Sequence, residues 1–317
     1  MRYKVYGKSG LKGSSLAVGS WGLSNAAYSE SDNQEAIVGI RTMIDHGVNL
    51  VDTAPSYADG HAEELVGRAL KDGYREKVFL ATKFGIPFEY NYVNDTSYKN
   101  CVRELELSLK RLNVDYVDVF YIHWPDPKTP IEETMTAMND LKEAGKIRHI
   151  GVSNFNIEQI EEARKYGDVE FIQPPFSMVD QRCKDLMLWG NEQNLANVTY
   201  GSLGGGILTG AYRTIPDWAP DDFRFTFYDS FREPKFSRVQ KLLKLLDEIA
   251  AGHNGTVAQV SINWSTQKDY VSTAMCGVRG VREAIDNCSA FDWELTEEEM
   301  EAIDSCIKEN RISERQD

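Results

Sequence analysis

Residues 50–70 read LVDTAPSYADGHAEELVGRAL. Leu50 and Val51 form the end of an apolar run that fits a buried strand, and Asp52 follows at once. Pro55, Ser56, Asp59 and Gly60 then mark a turn. A helical pattern starts near Ala62 and stops at Gly73. A carboxylate therefore stands at the C-terminal end of a strand, with Tyr57 in the loop beyond it. In a strand–loop–helix repeat, that is the end where chemistry is placed. An isolated aspartate there is more often a helix cap or a structural ion pair. The next run, KVFLATKF (Lys77–Phe84), changes the balance, because Lys83 lies at its C-terminal end inside an otherwise apolar segment.

The same unit recurs outward from this stretch. Apolar runs that predict strands lie at Leu16–Ser20, Asn49–Asp52, Val78–Lys83, Tyr116–His123, Ile147–Ser153, Phe171–Gln173, Val198–Ser202 and Val271–Cys276. Helical spacing is predicted between them at Ser97–Leu112, Ile131–Ala144, Ile157–Tyr166 and Asp185–Asn194. Eight alternations of this kind point to a parallel sheet closed as a (β/α)8 barrel, the TIM barrel, rather than to an open doubly wound sheet. Two short alternating runs, Tyr3–Tyr6 and Ser15–Val18, predict a small N-terminal β-hairpin. Capping boxes are expected at Ser31 with Gln34 and at Thr129–Pro130–Glu132, and Thr296 with Glu299 starts a last helix. The stretch from Gly204 to Arg232 breaks the pattern. It is rich in Gly, Pro, Asp and aromatics, and it predicts a long loop over the C-terminal mouth. No linker interrupts the chain, so residues 1–317 are expected to form one domain.

The 317 residues are 42% hydrophobic, enough for a large core, and carry a net charge of −14. So acidic a chain argues against nucleic-acid and anionic-membrane partners. The five cysteines have no CxxC spacing and the five histidines no HExxH, so reduced thiols and no metal site are expected. With no apolar leader at the N-terminus, a cytoplasmic protein is expected.

Asp52 with Tyr57, Lys83 and His123 fall at the C-terminal ends of three consecutive strands, which converge on one mouth. Tyrosine titrates near pH ~10 and transfers protons poorly at neutrality without help. A nearby ammonium favours its phenolate, a paired aspartate keeps that ammonium charged, and a neutral histidine can orient a substrate oxygen. This set suits general acid/base work at a carbonyl or alcohol oxygen. No GxSxG and no Cys–His motif is present. Reduction also requires a hydride source, which no side chain supplies, so a nicotinamide or flavin is implied.

The segments DTAPSYADGHAEELVGRAL, ATKFG, YIHWPD, GKIRHIGVSNF and SLGGGILTG, in this order, resemble the aldo-keto reductase superfamily over essentially the whole chain. The segments between them are most similar to the bacterial branch typified by the oxidoreductase of inositol operons. The resemblance implies an NAD(P)H-dependent carbonyl reductase or alcohol dehydrogenase, with NADP(H) favoured and NAD(H) possible. It casts Tyr57 as proton donor, Lys83 as the group that depresses its pKa, Asp52 as the partner of Lys83, and His123 as the group that orients the substrate. It also implies that Ser153, Asn154 and Gln173 hold the nicotinamide carboxamide, beside Ser20 and Trp21, and that Tyr200 stacks on the ring. The turn Gly201, Ser202, Leu203, Gly204 and Gly206 would lie against the pyrophosphate. Gly277, Val278, Arg279, Arg282, Glu283 and Asn287 would hold the adenosine end. Trp21, Phe84, Tyr90, Trp124 and Arg224 are candidate substrate contacts, with Phe225 and Tyr228 nearby in the long loop.

Three features depart from the family pattern: Phe176 in place of a tyrosine, Gly201–Ser202 in place of Ser-Pro, and Cys276 in place of a proline. Glu283 disfavours a 2′-phosphate, whereas Arg279 and Arg282 favour one. The substrate class is a small polar aldehyde, ketone, sugar or polyol. The alternative is a nucleotide-binding regulatory subunit on the same scaffold, as in potassium-channel β-subunits.

Overall fold

The structure is a computed structural model and describes residues 1–23, 30–87, 93–219 and 222–315. A hairpin of β1 (Tyr3–Val5) and β2 (Lys12–Ser14) precedes the barrel. The barrel strands are β3 (Leu16–Gly19), β4 (Leu50–Asp52), β5 (Phe79–Phe84), β6 (Val117–Ile122), β7 (Ile147–Ser153), β8 (Val169–Gln173), β9 (Ala196–Thr199) and β10 (Thr273–Gly277). They close as a parallel ring in chain order, with β10 paired to both β3 and β9. The helices between and after them are α1 (Glu30–Asp45), α2 (His61–Ala69), α3 (Tyr98–Leu112), α4 (Ile131–Glu143), α5 (Ile157–Arg164), α6 (Lys184–Glu192), α7 (Phe223–Phe227), α8 (Lys235–Gly252), α9 (Val257–Thr266), α10 (Val281–Ser289) and α11 (Glu297–Glu309). The predicted (β/α)8 barrel and N-terminal hairpin are therefore present. No helix among the described residues is long and apolar enough to cross a membrane.

Side chains alternate across each strand, one set to the lumen and one to the helices. Ala17, Leu50, Ala81, Val119, Tyr121, Phe171, Ala196, Val198 and Met275 fill the lumen, with Tyr6 of the hairpin beneath them. Tyr6 is fully buried, donates to the Ser14 carbonyl at 2.5 Å and meets Phe171 edge-on. The outward set, including Val18, Val51, Leu80, Phe84, Phe120, Ile122 and Val152, packs against the helices. Two residues above each luminal plug the same face reaches the mouth. Leu50 is followed by Asp52, Ala81 by Lys83, Tyr121 by His123, Phe171 by Gln173 and Val198 by Tyr200.

Several local expectations are corrected. The second hairpin strand is Lys12–Ser14, and the run from Ser15 leads into β3 instead. α1 runs from Glu30, so Ser31 falls in its first turn rather than before it. α4 starts with Pro130 at its N-cap, and the Thr129 hydroxyl donates to Asp126 at 2.7 Å rather than capping the helix. β9 ends at Thr199, and Tyr200 makes only an isolated bridge to Pro175. The cap at Thr296 forms as a full capping box with Glu299, and Ser97, predicted as the first residue of its helix, is the N-cap of α3. α7, α8, α9 and α10 add four helices that the sequence reading does not name.

Gly151 on β7 shows how tightly the lumen is filled. A Cβ there would lie 2.4 Å from the Tyr121 ring and 3.1 Å from Phe171. Overpacking of this kind costs about 1–3 kcal/mol. Gly151→Ala is expected to lower the urea midpoint by that equivalent, and an unchanged midpoint would show that Tyr121 moves freely.

Candidate active site

Asp52 and Lys83 are buried side by side at the mouth end of β4 and β5. Lys83 Nζ lies 2.5 Å from Asp52 Oδ1 and donates a second hydrogen bond to the Thr53 carbonyl at 2.8 Å. The other carboxylate oxygen of Asp52 accepts from Gln173 Nε2 at 2.9 Å. Above this pair, Tyr57 and His123 are half-buried. The ammonium sits 4.9 Å from the centre of the Tyr57 ring, and His123 meets that ring edge-on at 5.9 Å. The four residues named from the sequence thus meet at one place.

The electrostatics differ from expectation at one point. Burial pushes the Tyr57 phenol above its ordinary value of 10.0, and the attraction of Lys83, which acts downward as expected, is the smaller effect. Burial opposes the charge on Lys83, but Asp52 and Tyr57 more than offset it and hold the ammonium charged. His123 is driven well below 6.5, first by burial and then by the Lys83 charge, so its ring is neutral at pH 7. The site therefore holds a protonated phenol, a charged lysine and a neutral imidazole.

A second network lies beside it. Asn154 has a left-handed backbone (φ +62°) and donates to the His123 carbonyl at 2.9 Å and to Ser153 Oγ at 3.1 Å. The Tyr200 hydroxyl donates to Asn154 Oδ1 at 2.8 Å, and Ser153 Oγ donates to the Gln173 carbonyl at 3.0 Å. The cap of α5 is Asn156, so Ser153 and Asn154 are not spent on that helix. The hydroxyls of Ser20, just after β3, and Ser202, in the turn after β9, are buried without any hydrogen-bond partner. Such orphaned groups fit a ligand with polar atoms of its own.

Gly201, Gly204, Gly205 and Gly206 all have positive φ, and Leu203 is half-buried beside them. A Cβ on Gly205 would lie 2.6 Å from the Tyr228 ring, which covers this turn. Gly204 and Gly206 donate their N–H groups to the carbonyls of Gly201 and Leu203, so in this structure those two donors serve the turn itself. Trp21, exposed at the mouth, meets Phe227 and Tyr228 at 5.7 and 6.2 Å. The long connection thus reaches across to the end of β3, as expected. Trp124 is exposed and lines a cleft with Asn154 and Gln173.

Other candidates are placed elsewhere. Phe84 is fully buried and stacked on Phe120 at 4.9 Å, because the residue after luminal Lys83 must point to the helices. It does not line the mouth. Val278 is buried among the helices against Gly39, so its side chain faces away from the mouth. Arg224 is held by Asp222 at 2.7 and 2.9 Å and lies 3.5 Å over Trp218, and among the charges acting on it is Arg279 rather than the tetrad. Asn287 is buried and donates to the Gly277 carbonyl at 3.1 Å, while Gly277 itself is exposed. Arg279 and Glu283, read as opposing signals, bind each other: Glu283 accepts from the Arg279 guanidinium at 2.6 and 3.0 Å and from its backbone N–H at 2.8 Å. Arg282 is exposed nearby in the first turn of α10. Phe176 is buried, stacked on Trp264 at 5.3 Å, which explains an apolar ring at that position. Tyr90 lies outside the described residues. Sequence reading missed the second bond of Gln173 and the acceptor carbonyl of Thr53, since neither has a local pattern.

With this geometry in place, the matches to known proteins decide the assignment. The aldo/keto reductase family model covers residues 15–308. The chain belongs to the aldo/keto reductase family. It is 35% identical to the aldo-keto reductase YhdN of Bacillus subtilis, over 99% of this chain and 95% of that one. It is 33% identical to a probable voltage-gated potassium channel subunit beta of Arabidopsis thaliana, over 92% of each. It is also similar to the solved glycerol dehydrogenase of Gluconobacter oxydans, with a TM-score of 0.86 and 31% identity over 97% of this chain and 95% of that one. Membership in this aldo/keto reductase family supports oxidoreduction between carbonyl and alcohol.

The buried pair yields a stability test. Lys83→Met leaves the Asp52 charge buried without its cation and is expected to destabilise by about 3–5 kcal/mol. Adding Asp52→Asn should restore most of that loss in a urea titration, and no recovery in the double variant would mean that the pair is not the source.

Proposed function

We propose that the protein is an NAD(P)H-dependent oxidoreductase that interconverts a carbonyl (aldehyde, ketone or sugar) and an alcohol, with Tyr57 as general acid/base. The observation that carries this reading is the half-buried Tyr57 phenol above a buried ammonium, with a neutral imidazole edge-on to it. Support for the cofactor comes from the orphaned Ser20 and Ser202 hydroxyls and from the Asn154, Ser153 and Tyr200 network beside the tetrad. A bound nicotinamide supplies the hydride for reduction or takes it up in oxidation.

The chain's own residues supply the rest. His123, neutral, donates a hydrogen bond to the substrate oxygen and sets its position. Tyr57, protonated at neutral pH, delivers its proton to that oxygen as negative charge develops. Lys83 stabilises the phenolate left behind, and Asp52 holds Lys83 in place. Trp21, Trp124 and Tyr228 narrow the mouth around a small substrate.

Removal of the proton donor in Tyr57→Phe is expected to lower kcat for carbonyl reduction by about 10²–10⁴-fold while cofactor binding persists. In the wild type, the alkaline limb of reduction should lie above the ordinary tyrosine value of 10.0, because burial favours the protonated phenol. Steady-state NADPH oxidation with short aldehydes and polyol-derived ketones measures both. Tight cofactor binding without turnover on such a panel would favour the regulatory-subunit reading, which the similarity to a channel subunit raises.

We further propose that NADP(H) is favoured through Arg279 and Arg282, and that Glu283 restrains this preference by occupying Arg279. Glu283→Gln should raise the NADPH-over-NADH preference several-fold and Arg279→Ala should lower it, as read by fluorescence titration. Equal changes for the two cofactors would remove Arg279 from 2′-phosphate recognition.

A further inference from the structure

We propose that Gln173 is a positioning residue for proton transfer: its side-chain N–H fixes the second oxygen of Asp52, and through Asp52 the ammonium that faces Tyr57. The proposal rests on the oxidoreductase reading and adds to it a role distinct from holding the cofactor.

The bond between Gln173 Nε2 and Asp52 Oδ2, 2.9 Å long, is buried at both ends. It joins β8 to β4, which stand four strands apart in a ring of eight. It is therefore a strut across the full width of the lumen, at the level where the tetrad begins. An ionised aspartate accepts hydrogen bonds only, so the amide must present its nitrogen to it. The opposite oxygen of Asp52 is taken by Lys83. Without Gln173, a buried carboxylate oxygen would lose its donor, and the protonated acid would gain on the charged form. A protonated Asp52 no longer holds the ammonium.

Gln173 is itself fixed from below and beside. Its backbone carbonyl accepts from Ser153 Oγ, and its strand register pairs it with Ser153. The other ionisable groups around Asp52 are Lys83 on β5, Tyr57 in the loop after β4, and Tyr121 on β6, whose buried hydroxyl faces the Gln173 side chain without a well-formed hydrogen bond. His123 sits above and responds to Lys83. Among these, Lys83 and Gln173 alone donate to the Asp52 carboxylate.

Two variants separate this role from a plain cofactor contact. Gln173→Met keeps the length and removes the donor. Gln173→Glu sets a second acid against Asp52, and it carries the test should the methionine variant fail to fold. The first readout uses apo protein labelled with carbon-13 at the aspartate carboxyl, with the Asp52 resonance assigned by its loss in Asp52→Asn. That resonance is expected to titrate about 1–2 pH units higher in Gln173→Met than in the wild type, and higher again than wild type in Gln173→Glu. At saturating cofactor the acid limb of kcat should move up by the same amount. In an Asp52→Asn background, Gln173→Met should leave that limb where it was. An unmoved Asp52 titration in both variants, with weakened NAD(P)H binding, overturns the proposal and leaves Gln173 a cofactor contact only. Retained turnover in Tyr57→Phe would instead bring down the oxidoreductase reading, while the apo titration would still decide the role of Gln173.

Discussion

The buried ion pair of Asp52 and Lys83 is the constraint around which the mouth of this barrel is built. Two charges inside a protein are tolerated only when their remaining donors and acceptors are met. Here the ammonium is shared between Asp52, the Thr53 carbonyl and the face of Tyr57, and the carboxylate between Lys83 and Gln173. The chemistry above the pair follows from its charge pattern. Burial and then the lysine cation suppress protonation of His123, and the cation opposes the burial that holds Tyr57 protonated. Burial and one desolvated lysine thus leave a neutral imidazole and a protonated phenol in the same cavity.

Much of this was legible because a strand has a period of two. Once Asp52 and Lys83 are placed at the ends of adjacent strands, every second residue of each strand belongs to the lumen. Asp52, Lys83 and His123 follow from that rule, whereas Tyr57 is read from the loop after β4 and Gln173, Ser153 and Tyr200 from the family resemblance. The same rule, applied one residue further, places Phe84 among the helices, as the structure finds. Val278 is displaced for a similar reason, as the residue beyond Gly277 turns into the helix layer against Gly39. The helix from Lys235 was also within reach, since Val239, Leu242, Leu243 and Leu246 recur at helical spacing. Capping signals were less reliable: Thr129 prefers the nearby Asp126 to its own helix, a choice set by loop geometry.

What sequence does not carry is partnership across long separations. Gln173 reaches Asp52 from a position 121 residues away, and nothing near either residue marks the bond. The aromatic connection over the mouth is similar. Its composition pointed to a long loop over the mouth, but not that Trp218 would gather Tyr212, Phe225 and Phe231 while Tyr228 covers the glycine turn. Arg224 is drawn into this cluster by Asp222 and the face of Trp218.

The rim near α10 shows why net charge is a poor guide to what a cavity binds. The chain carries −14 overall, yet Arg224 and Arg279 are close enough to repel one another. Screening at physiological salt confines such fields to about 8 Å, so an approaching anion responds to these guanidiniums and not to the distant acidic surface. Asp222 holds Arg224 in a half-buried pair of two hydrogen bonds, whereas Glu283 meets Arg279 in an exposed pair. Exposed pairs are individually weak and exchange easily with another anion. Arg279 is therefore a cation held in position but only lightly committed, whereas Arg224 is fixed by Asp222 and Trp218. The two carboxylates keep the arginines extended and apart, and they set how much of that attraction a ligand can claim.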